Sequence, residues 1–65
     1  MTVLEPPIGF DEQIKELERE IAKREEVFPR WVEQGRLKQA VAERRILCLR
    51  TTLELVRNVA ARAGR

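Results

Sequence analysis

The chain contains no histidine, no tyrosine and no serine, and only one cysteine. Those absences close most routes to catalysis. A nucleophile needs a neighbouring base to activate it, and Cys48 has no imidazole to play that part. One cysteine cannot form an internal disulfide. Zinc would have to be held by Cys48 and carboxylates alone, a poor donor set. No glycine-rich phosphate loop is present either. The expectation is a non-enzyme with no metal and no cofactor.

Long apolar runs are missing too. No uncharged stretch approaches the roughly 20 residues that span a bilayer. Met1-Thr2-Val3-Leu4-Glu5 lacks the basic end and apolar run of a secretory signal. A cytoplasmic location away from membranes is therefore expected, and a single free thiol suits a reducing compartment. Glycine and proline total only six, and Pro6, Pro7 and Gly9 take three of these at the start. From there to Gly64 only Pro29 and Gly35 interrupt a sequence rich in Glu, Arg, Leu, Ala and Val, which favours helix.

At 65 residues the chain makes one small domain. A domain of this size buries too small a share of its surface to be more than marginal alone. Disulfides, metals and oligomerisation are the usual remedies. With the first two excluded, oligomerisation remains.

The strongest pattern lies in the second half. Ala42, Ile46, Leu49, Leu53, Val56, Ala60 and Ala63 are spaced four, three, four, three, four and three apart. This heptad seam specifies a long helix packed on another helix. In the first half Ile14, Leu17, Ile21, Phe28, Trp31 and Gly35 keep the same spacing, with Arg24 as the polar interruption and Phe10 four residues ahead. Asp11 is a candidate N-cap for that first helix. Gly35 is its natural stop, because glycine adopts the left-handed conformation that ends helices. The expected boundaries are 11–34 for the first helix, 35–38 for a loop and 39–62 for the second helix, with Gly64 beyond it. Nearly equal helices and a short link give an antiparallel two-helix hairpin, an all-α fold.

Two segments leave alternatives open. Residues 1–10 hold Pro6, Pro7 and Gly9 among the apolar Val3, Leu4, Ile8 and Phe10. They form an extended apolar N-terminal arm that either frays or lies across the helices. Pro29 either kinks the first helix or ends it near Val27 and starts a short second piece. The apolar phase runs unbroken from Ile21 to Phe28 to Trp31, which favours the kink.

Charge is divided between the halves. Residues 1–35 carry five bases and nine acids, a net of −4; residues 36–65 carry eight bases and two acids, a net of +6. A hairpin lays the acidic helix beside the basic one, which accounts for the division without an outside partner.

A hairpin does not absorb every apolar residue. Beside the main seam, Val41, Cys48, Thr52, Leu55 and Val59 form a second row at heptad-related spacing. The first helix can cover only one of the two rows. Two hairpins meeting through the second row would give a four-helix bundle dimer with coiled-coil-like packing and two-fold symmetry. Within that row Cys48 is expected to be a buried structural thiol rather than a reactive one.

The segment Phe28-Pro29-Arg30-Trp31-Val32-Glu33-Gln34-Gly35-Arg36-Leu37, with Arg24 before it and Ala42-Glu43-Arg44 after it, resembles one type of small helical protein. These proteins are carried in phage or prophage regions. They show an aromatic-Pro pair, then Val, then Gly-Arg or Gly-Lys with Leu or Met, and an Ala-Glu pair in the following helix. The resemblance covers roughly Arg24 to Leu53. The acidic residue usual after the Ala-Glu pair is replaced here by Arg44-Arg45. The group has no assigned activity, so the resemblance implies an accessory setting and no mechanism.

Two binding roles fit the residues. In the first, the chain is an interaction module that self-associates and offers Phe28, Arg30 and Trp31 to an unidentified protein partner, since Trp and Arg recur in interface hot spots. In the alternative, Arg36, Lys38, Arg44, Arg50 and Arg57 contact nucleic acid. The second helix spreads its arginines over several faces, and no helix-turn-helix spacing is visible, so the first role is preferred.

Overall fold

The computed structural model of the chain describes residues 8–63. Helix α1 spans Phe10–Glu33 and helix α2 spans Gln39–Ala63. They pack on each other as an antiparallel hairpin. Among the described residues, no helix is long and apolar enough to cross a membrane. Most of the expected arm, residues 1–7, and the expected stop at Gly64 lie outside the described residues.

Helix α1 begins one residue earlier than expected. Gly9 occupies the N-cap position in an extended conformation and supplies no side-chain cap. Asp11 therefore lies within the first turn, where its charge complements the helix dipole instead of capping it. The early start brings Phe10 onto the seam, four residues before Ile14. The Gln13 amide Nε2 donates to the Ile8 carbonyl at 2.9 Å, which ties the chain entering the helix to its first turn.

Helix α1 runs through Pro29 as one 24-residue element, so the alternative of a break near Val27 is not realised. Pro29 has no N–H to donate to the Glu25 carbonyl. Its ring is exposed, so water can reach the freed carbonyl on that flank. Alanine at this position would restore the missing bond. Pro29→Ala is expected to raise the unfolding free energy by about 1–2 kcal/mol, less than the full helix-interior penalty because the ring also lines a groove against α2. Urea denaturation measures the change.

The turn explains why Gly35 is needed. Its φ is +74°, in the left-handed region. The Arg36 N–H donates to the Trp31 carbonyl at 2.8 Å, and the Gly35 N–H to the Val32 carbonyl at 3.0 Å. This is the Schellman pattern, which satisfies carbonyls that the last turn would otherwise orphan. The side-chain contact that commonly accompanies it is made by Arg36, whose guanidinium lies 5.3 Å from the Trp31 ring centroid. A Cβ at Gly35 would meet no neighbouring atom. The cost of Gly35→Ala is therefore conformational alone, about 1 kcal/mol, with Gly35→Asn milder. Thermal unfolding of the two variants checks the order.

The expected seams close on each other. Ile21, Phe28, Ala42 and Leu53 are buried. Ile14, Leu17, Trp31, Ile46, Leu49, Val56 and Ala60 are half-buried beside them. None of the described side chains is fully enclosed. Two helices touch along one line, and each seam residue keeps a side open to water.

Electrostatics fixes the register. Arg50 pairs with Glu25 and Arg57 with Glu18. The arginines are seven residues apart on α2, and their glutamates are seven apart on α1 in the reverse sense. One antiparallel register therefore satisfies both pairs. The four side chains are about half exposed, so each pair contributes at most about 1 kcal/mol and specifies alignment more than stability. Pairs within α1 add Arg19–Glu16 at 2.8 Å, Arg24–Glu20, and Arg30–Glu26 at 3.7 Å.

Candidate self-association and docking surfaces

The two flanks of the hairpin differ. Viewed along α2, the second apolar row lies roughly 110° round from the seam, at 100° per residue. Arg50 and Arg57 lie on the opposite side of the seam. That side is closed by the two interhelical ion pairs. The flank toward the second row has no interhelical ion pair among the described residues.

On this open flank the residues of the expected interface face solvent. Val41 and Val59 are each 43% exposed and Leu55 is 62% exposed. Thr52 and Cys48 are exposed as well. Cys48 is open to solvent in the single hairpin, so burial of its thiol requires a second molecule on the row. The residue sits too far round α2 for α1 to reach over it.

The threonines on this face are less polar than they look in sequence. The Thr52 hydroxyl donates to the Cys48 carbonyl at 2.9 Å, and the Thr51 hydroxyl to the Leu47 carbonyl at 2.8 Å. Hydroxyls satisfied within their own helix demand little from a partner, so the face behaves as more apolar than its composition. Thr51 and Leu47, 58% exposed, extend the row outward and were not anticipated. Their signal was the spacing of four from Leu47 to Thr51 to Leu55. It is hidden in a heptad count because Glu54 and Asn58 interrupt that side of the helix.

The expected docking group of Phe28, Arg30 and Trp31 is not brought together as a surface. Phe28 is only 3% exposed and belongs to the core. Arg30 points to another side of α1, where it approaches Glu26. Trp31 alone remains half open. Phe28 stays within 5.7 Å of it, centroid to centroid. The neighbours that do gather at Trp31 are Glu20, Lys23, Arg24, Val27, Phe28 and Arg45, around a cleft of about 280 Å³. Arg45 lies over the Phe28 ring, 5.2 Å from its centroid. Neither guanidinium–aromatic contact was legible in the sequence, since each joins residues outside the regular helix spacings.

The candidate nucleic-acid residues do not share a face. Arg50 and Arg57 are engaged by glutamates on the closed flank. Arg36 stacks on Trp31 at the turn. Arg44 borders Leu47, Cys48, Thr51 and Thr52 on the outer side of α2. Lys38 is exposed just before α2.

In comparisons with family models, curated proteins and solved structures, the chain matches none of them.

Proposed function

We propose that this chain is a non-catalytic helical module that works by protein–protein contact, first of all with a second copy of itself. The observation that carries the proposal is the uncharged row on α2 from Val41 to Val59, which the hairpin leaves in water although the neighbouring seam is closed. Leu55 and Val59 are large apolar side chains on a rigid helix, and covering the 62% and 43% still exposed gains about 1–2 kcal/mol each. Self-pairing through this row yields the four-helix bundle dimer and gives each chain a second apolar contact. The resemblance of Arg24 to Leu53 to small phage-associated proteins agrees with an accessory rather than an enzymatic role. Nucleic acid is the weaker alternative, because a shared cationic track is what phosphate binding requires and the arginines are dispersed.

Cys48 lies within the row and provides the test. Its alkylation by iodoacetamide should slow by at least about tenfold as protein concentration is raised from nanomolar to near-millimolar, because the dimer covers the thiol. A rate independent of concentration, with the chain folded throughout, overturns the proposal.

A further inference from the structure

The cleft beside Trp31 has a chemistry of its own. Its floor is apolar, formed by Val27, Phe28 and Trp31, and its rim carries Lys23, Arg24, Arg45 and Glu20. Glu20 is already paired with Arg24. Lys23 and Arg45 have no carboxylate partner among the described residues, so the rim holds three cations against one anion. Elsewhere between the helices the guanidiniums meet glutamates one to one. The volume, about 280 Å³, lies just below the usual range for small-molecule sites, about 300–1,000 Å³. It admits one large side chain and excludes a packed helix.

We propose that this cleft binds an acidic peptide segment carrying a single large apolar side chain. The apolar side chain rests on Val27 and Trp31, while flanking carboxylates meet Lys23 and Arg45. One contact favours a peptide over a nucleic acid. Arg36 already covers the Trp31 ring, which limits the free aromatic face that a base would stack on. Arg45 places the cleft on the flank of the second apolar row, so the inference rests on the proposed dimer leaving this end of the flank open.

Trp31 is the only tryptophan in the chain, so its emission follows this cleft. The full chain is titrated with three probes: acetyl-Glu-Glu-Phe-Glu-Glu-amide, the same peptide with glutamine for every glutamate, and a fifteen-residue oligothymidylate. The expected result is a saturable change in emission with the acidic peptide, weakened by added salt. Binding should be about tenfold weaker with the glutamine peptide and about tenfold weaker in Arg45→Gln or Lys23→Gln. Lys23 is exposed on α1, so its variant keeps the fold if removing Arg45 from the Phe28 ring disturbs it. No response to the acidic peptide, or an equal response to the glutamine peptide, overturns the proposal. A stronger response to oligothymidylate gives the cleft to nucleic acid. A peptide affinity that falls in proportion as the protein concentration is raised gives it to a second copy.

Discussion

Replacing Phe28 with alanine is expected to leave the chain without a detectable folded population. Phe28 is the most buried of the four core residues. Its ring lies between two surface grooves. One is the cleft with Val27, Trp31 and Arg45, and the other is lined by Glu25, Pro29, Val32, Gln39, Ala42, Glu43 and Ile46. Removing the ring joins the two grooves and lets water pass between the helices beside the turn. It also takes away the platform under Arg45 and the neighbour of Trp31. A buried Phe→Ala change costs about 3–5 kcal/mol. Total stability for a chain of this length is on the order of 3–10 kcal/mol, and a hairpin with no fully enclosed side chain belongs near the bottom of that range. The far-ultraviolet circular dichroism of Phe28→Ala should therefore be that of a largely unfolded chain at micromolar concentration. Retained helicity with a cooperative melt close to that of the parent would show that the packing around Phe28 is not what holds the helices together.

The second large effect falls on a residue that looks dispensable in the hairpin. Leu55 is more than half exposed, and substituting such a position normally changes stability by no more than about 0.5 kcal/mol. If the row is an interface with two-fold symmetry, every dimer contains Leu55 twice. Leu55→Glu then removes the burial of the exposed 62%, about 1–2 kcal/mol per copy, and adds two carboxylates to an apolar contact. The burial loss of about 2–4 kcal/mol together with the cost of desolvating two carboxylates weakens association at least a hundredfold. Glutamate is a good helix former, so α2 itself is not compromised. Ala22→Glu, on an exposed position of α1 away from this row, serves as the control and should leave association unchanged. Size-exclusion chromatography with light scattering reads both variants. A Leu55→Glu chain that elutes and scatters like the parent would remove the row from the interface.

The backbone plan was legible because apolar spacing and punctuation agreed. The two heptad seams, the stop at Gly35 and the opposite charges of the helices each pointed to the same hairpin, and Arg50–Glu25 and Arg57–Glu18 are the contacts that the charge division implied. Pro29 was legible as a continuation because the seam kept its phase across it. The start of α1 was less so. Asp11 resembles a cap, but the helix starts one residue ahead of it, with Gly9 at the N-cap position. Surface groupings were the least legible. Phe28, Arg30 and Trp31 are adjacent in sequence, yet one residue is 100° from the next on a helix, so neighbours in the chain face different surroundings. The cleft at Trp31 draws on Arg45, whose place beside Phe28 depends on the register between helices, a quantity no single-helix pattern contains.

The central claim is that the hairpin does not keep its second apolar row in water. Sedimentation equilibrium of the full chain at micromolar concentration tests it most directly. The account predicts a species of twice the 7.6 kDa chain mass, dissociating on dilution with a parallel loss of helicity. A stably folded 7.6 kDa monomer over the whole concentration range would contradict it.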